Sequence, residues 1–199
     1  MNIRLFGGGA TVRAFWTVVV IGVWAAGGWS AELTPSMKRD ALKVKKELDR
    51  IEVESLAGRK GPLKTVDFTE AEFNAWLAFR LDEEKEDVLQ VLALKLFPEN
   101  RVEGRAFVDL SRARLPLGFK PKFNLYFSAR LLVESGAAKI EFTKLFLEGQ
   151  QVSMLLLDLM ITAASGLGKS DASAIKDWVL LPYGLKNLRI DTGRVRLYY

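Results

Sequence analysis

Histidine and cysteine are both absent from this 199-residue chain. Their absence removes Ser-His and Cys-His nucleophilic machinery, imidazole or thiolate zinc sites, and any disulfide frame. Catalysis would have to rest on carboxylates, lysine or tyrosine alone, and no assembled acid, base and nucleophile can be named among them, so no enzyme is expected. A strong charge of one sign is missing as well. The formal net charge is +5, and setting aside Arg4 and Arg13, which lie in the N-terminal leader, leaves +3 spread over the rest. That is too little for a nucleic-acid footprint and enough for mild attraction to an anionic membrane surface. Internal repeats and low-complexity linkers are also lacking. With 49% hydrophobic and 27% charged residues, the composition is that of one ordinary globular domain with a sizeable core.

What is present begins with an export signal. Arg4 and Arg13 precede an apolar run from Ala14 to Ala26, followed by the small residues Gly27 and Gly28. Counted to Trp29 the run has 16 residues, short of the roughly 20 that span a bilayer comfortably. Residues 1–31 are therefore read as a signal peptide or a membrane anchor, and the protein as exported to the periplasm or the extracytoplasmic face of the inner membrane. Residues 32–199 form the single domain.

Within that domain, Thr34-Pro35 is an N-cap followed by proline at the first helical position. Met37, Ala41, Val44, Leu48 and Ile51 then recur at steps of three and four, which predicts an amphipathic helix ending near Gly58. Its other face, dense in Lys38, Arg39, Lys43, Lys45, Lys46 and Arg50, is read as solvated. Val66 and Phe68 make a short extended piece before Thr69 and Glu72, whose spacing is that of a capping box, so a second helix is expected from about Glu70 to Leu81. From Val88 the period becomes two. Strands are expected over Val88–Phe97, Arg101–Leu110, about Phe123–Val133 and about Lys139–Leu147, forming an antiparallel meander with one strongly apolar face. Ser153 caps a third expected helix, Met154 to about Ser165, which is apolar nearly all round and must be buried or face lipid. A short helical stretch is expected around Ala172–Leu180. Leu185–Ile190 and Arg194–Tyr199 then flank a hairpin turn at Asp191-Thr192-Gly193, with the last segment read as an edge strand. The fold class is α+β.

Three motifs are set aside on context. Ala163 to Ser170 satisfies a permissive phosphate-loop pattern, yet only 29 residues follow Ser170, too few for the parallel strands such a fold needs. Asp191-Thr192-Gly193 has the composition of an aspartic-protease loop but occurs once, and it suits a tight turn. The acidic cluster Asp82, Glu83, Glu84, Glu86 and Asp87 lacks the alternating ligands and glycine of a calcium loop and is read as a solvated helix end. No metal site or cofactor is expected.

Three segments in order carry a resemblance. They are Val66-Asp67-Phe68-Thr69-Glu70-Ala71-Glu72-Phe73-Asn74-Ala75-Trp76-Leu77; Phe146-Leu147-Glu148-Gly149 leading to the apolar helix; and Leu181-Pro182-Tyr183-Gly184-Leu185-Lys186-Asn187-Leu188-Arg189-Ile190 with Gly193-Arg194-Val195. Together they resemble the small bacterial tubular lipid-binding (TULIP-like) envelope proteins of the YpmS and LmeA type, departing with Phe73 where leucine is usual. The resemblance implies a curved antiparallel sheet rolled around helices, a half-barrel with an elongated apolar groove for acyl chains. The expected lining residues are Phe73, Trp76, Phe127, Leu131, Leu156, Leu159 and Met160, and the expected partners are phospholipid or another long-chain lipid and a membrane surface. A charge placed at Leu131 or Leu156 is expected to abolish lipid carriage and leave the fold intact. The alternative is a membrane-tethered scaffold with a dry core and no ligand.

Overall fold

The computed structural model describes residues 33–57, 61–84, 88–112, 120–153, 155–156 and 177–199. Helix α1 (Pro35–Leu56) starts where Thr34 Oγ1 accepts the Met37 N–H at 3.2 Å, an N-cap with proline behind it. Its apolar stripe Ala41, Val44, Leu48 and Ile51 is buried. Strand β1 (Thr65–Thr69) runs directly into α2 (Glu70–Glu84). The junction is a capping box: Glu72 N–H donates to Thr69 Oγ1 at 3.2 Å, while Glu72 Oε2 accepts the Thr69 N–H at 2.8 Å. Phe73, Ala75, Trp76 and Leu77 are buried, and Lys43 and Lys45 of α1 pair with Glu72 and Glu83 of α2, so part of the basic face tethers the two helices.

The meander follows in the expected order: β2 (Leu89–Phe97), β3 (Arg101–Asp109), β4 (Lys122–Glu134) and β5 (Ala137–Leu147). Two short strands, β6 (Gln150–Gln151) and β7 (Val179–Leu180), pair with the last and first residues of β5 respectively. The second of these replaces the end of the helical stretch expected at Ala172–Leu180. Val179 packs inward against the core while Trp178 and Leu180 are exposed, a period of two rather than of a helix. The rest of that stretch, the apolar helix beyond Leu156, and the segment 1–31 lie outside the described residues.

A 3-10 turn (Pro182–Gly184) leads to β8 (Asn187–Asp191) and β9 (Arg194–Tyr198). Leu188 faces Leu197 and Ile190 faces Val195, the expected hairpin register. However, β9 is no edge strand. It is the centre of a separate three-stranded sheet, β1-β9-β8, with β1 paired from Thr65↔Tyr198 to Thr69↔Arg194. The partner was hidden because β1 is five residues long and lies far away in sequence.

The large sheet is strongly curved into a half-barrel, and the curvature has local causes. Register shifts occur beside Leu89 in β2 and opposite Ser128–Ala129 in β5, and such bulges bend a strand and increase its twist. Small residues Gly104, Ala106 and Ala129 face the concave side among larger ones, leaving room to bend. At the β2–β3 turn Glu99 and Asn100 both have positive φ (61° and 58°), a tight hairpin geometry that matches the strand twist. Asn100 also joins the two sheets. Its N–H donates to Ile190 O at 3.2 Å, its Oδ1 accepts from Ile190 N at 2.7 Å, and its carbonyl accepts from Leu131 N at 2.9 Å.

The free edge of β2 is closed by side chains in place of a strand. Asn74 Nδ2 donates to Leu94 O at 2.8 Å while Leu94 N–H donates to Asn74 Oδ1; Glu70 Oε2 accepts from Leu96 N at 2.8 Å. Gly193 N–H completes the row on Leu96 O at 3.2 Å. One amide side chain thus mimics a strand residue, satisfying backbone groups that an exposed edge would leave open to another chain.

Candidate apolar site

The buried apolar residues fall into two clusters on the concave side. The first lies under the helices: α1 and α2 pack Val44, Ile51, Phe73, Trp76 and Leu77 against Leu92, Leu94, Leu96 and Leu131 of the large sheet and Leu188, Ile190, Val195 and Leu197 of the small one. The second lies along β3, β4 and β5: Ala106, Leu110, Phe123, Leu125, Phe127, Ala129 and Leu145. Neither α1 nor α2 contributes to the second cluster; beyond the sheet, Val152 and half-buried Leu156 pack on it. One sheet face therefore carries a longer apolar strip than the two described helices cover. Leu89, Val102 and Ile140 touch both clusters and form the seam between them.

At that seam is a cavity of about 20 Å³, lined by Phe73, Leu94, Val102, Leu131, Ile140, Leu188, Ile190 and Val195. Every lining residue is apolar, and an apolar void of this size stays dry and offers space for about one water-sized group. Ligand pockets run to several hundred Å³, so this void is a packing defect at the place where helix, half-barrel and small sheet meet.

The expected lining residues divide between these environments. Phe73 and Leu131 both line the cavity. Trp76 stacks on Phe73 with ring centroids 5.6 Å apart and is almost fully buried between the helices and the sheets. Phe127 belongs to the second cluster, edge-on to Phe142 at 5.2 Å, with Leu156 packed on the same cluster. Leu159 and Met160 lie outside the described residues. The pattern of alternation along β4 put Phe127 and Leu131 on one face correctly, but it carried no information on where α2 ends over that face. For the same reason nothing in the sequence marks Val102 and Ile140 as seam residues. Leu131 is only 5% exposed within the first cluster, so a charge there would be buried without a partner and would damage the fold itself. Leu156, half-buried against the second cluster, keeps partial access to water, so a charge there costs the fold less than one at Leu131.

No side chain with a polar function is buried among the described residues, and no group of carboxylates there is arranged to hold a metal ion. Described charged residues pair at the surface instead, as in Asp67 with Arg196 at 2.7 Å and Asp109 with Lys122 at 2.8 Å. No described helix is long and apolar enough to cross a membrane. Comparisons with protein-family models, curated proteins and solved structures give no match.

Proposed function

We propose that this protein is an exported envelope protein that carries lipid acyl chains along the concave face of its half-barrel, as the TULIP-like resemblance implies. The observation that supports this reading is the second apolar cluster: a strip of phenylalanine, leucine and alanine on β3–β5 that continues, through the Val102–Ile140 seam, into the core under α2. A chain lying along such a strip touches only hydrocarbon. Burial of each methylene contributes about 0.8 kcal/mol, so ten or so methylenes contribute roughly 8 kcal/mol before ordering costs, sufficient for extraction from a bilayer. The mechanism is passive. Acyl chains displace side chains along the strip, with Phe73, Trp76, Phe127, Leu131, Leu156, Leu159 and Met160 as the expected lining, while the headgroup stays at the rim.

A second reading is a membrane-tethered scaffold with a dry core. It is favoured by the size of the cavity, about 20 Å³, which holds no acyl chain as it stands.

Native mass spectrometry of the protein purified without detergent, followed by organic extraction, separates the two. The carrier reading expects a stoichiometric long-chain lipid, lost in Leu156→Glu with an unchanged circular dichroism spectrum. A clean apo mass that also resists loading from liposomes would overturn it in favour of the scaffold.

A further inference from the structure

Exposed apolar side chains are unevenly distributed over the surface. Seven large ones are exposed among the described residues, and five gather at one end of the fold: Val53 (67%), Leu56 (81%), Leu63 (60%), Trp178 (46%) and Leu180 (65%). Their convergence follows from backbone contacts. The last turn of α1 sits on the 3-10 turn, where Gly184 leaves room for Ser55 and no more. Leu180, four residues earlier, pairs with Ala137 at the start of β5, and Leu181 N–H donates to Gly136 O at 2.8 Å. Leu63 precedes Lys64, whose N–H donates to Tyr199 O at 2.9 Å, and Lys64 in turn pairs with Glu54 of α1. The opposite end, where the turns at 98–100 and 191–193 lie, is polar: Glu99 there is 75% exposed and paired with Arg130.

We infer that this end is the face by which the protein settles onto a lipid bilayer, a step that rests on the carrier reading because a carrier must approach the membrane it loads from. Two features select a bilayer over another macromolecule. A stable protein interface takes some 20–30 residues a side, and this group is far smaller, whereas shallow insertion of a few aliphatic side chains with an indole at the rim is how peripheral proteins hold an interface. The groups exposed there are aliphatic and indole, with described charges of both signs around them, Lys64, Lys139 and Lys186 beside Glu54, Glu134 and Asp177, so apolar insertion and not net charge carries the contact.

The absence of cysteine makes the test clean. Single Leu56→Cys, Leu180→Cys and, at the far end, Thr192→Cys variants of the full chain are labelled with an environment-sensitive dye and mixed with pure phosphatidylcholine vesicles. Emission should shift to the blue at positions 56 and 180 and stay unchanged at 192, equally in 50 mM and 500 mM salt. An absent shift at 56 and 180, an equal shift at 192, or a shift that needs anionic lipid and vanishes in salt would overturn the inference. Lipid content by mass spectrometry on the same samples separates the two ideas: bound lipid without a shift refutes only the docking face, and a shift without bound lipid refutes only the groove.

Discussion

Replacing Asn74 with leucine tests the idea that a single amide stands in for a strand at the edge of β2. The leucine keeps the volume and helix propensity of the site but withdraws one donor and one acceptor from the Leu94 backbone, which is partly buried. It also removes the Nδ2 bond to Glu70 O at 2.9 Å. A backbone group left without a partner costs about 1–3 kcal/mol, and partial access to water puts each of the two Leu94 groups near the lower end. The expected loss is about 2–4 kcal/mol, a large share of the 5–15 kcal/mol that holds a typical domain together. With a urea slope of about 2 kcal/mol/M, the unfolding midpoint falls by about 1–2 M. Hydrogen exchange at the Leu94 amide should accelerate more than at its neighbours along β2. Asn74→Asp serves as a control, since the ionised carboxylate faces the Leu94 carbonyl and recovers a donor only when protonated in acid. A midpoint shift below about 0.2 M for Asn74→Leu, with Leu94 exchange unchanged, would show that the edge does not need the amide.

Two further expectations concern the fold. Gly184 has φ +69°, and a Cβ built there would lie 2.4 Å from Ser55 Cβ, so Gly184→Ala should cost about 2–4 kcal/mol by thermal or urea unfolding; Ser55→Gly in the same chain should restore the steric part and leave the left-handed strain of about 1–2 kcal/mol. The pH dependence should be one-sided. Hydrogen bonding by Arg196 lowers the pKa of Asp67, Lys64 lowers that of Glu54, and Lys122 lowers that of Asp109. Depressed carboxylate pKa values contribute stability that is present above the unfolded values of about 4 and is lost as pH falls through the folded ones. With no histidine to titrate, urea midpoints should be level between pH 5 and 7 and decline below about pH 4.

Much of the meander was legible because its signal is local. Alternation from Phe123 to Val133 places every second side chain on one face whatever lies beyond, and β4 runs from Lys122 to Glu134 as that pattern requires. Thr34 and the Thr69/Glu72 pair marked both helix starts for the same reason, since a cap is satisfied within one turn. The three-stranded sheet was not legible. Arg194, Val195, Arg196 and Leu197 alternate identically in a central and an edge strand, and what decides between them is whether a second partner arrives from far away in the chain. The candidate site was half legible for a related reason. Residue pattern identifies an apolar face, whereas the boundary between the part covered by α2 and the part left to the second cluster depends on helix placement. Val102 and Ile140 sit on that boundary and look in sequence like any other strand residues.

The central position of β9 bears on the order in which the chain can acquire structure. Residues 65–69 come early and precede α2 directly, yet their strand partner among the described residues is Arg194–Tyr198, more than a hundred positions later. Until that segment is made, β1 lacks its β9 partner, and Val195 and Leu197, both buried, are missing from the core under the helices. Closing so long a loop is slow, and contacts this distant in sequence form late. The three-stranded sheet is therefore completed only once the last residues of the chain are available, and the core under the helices closes with it.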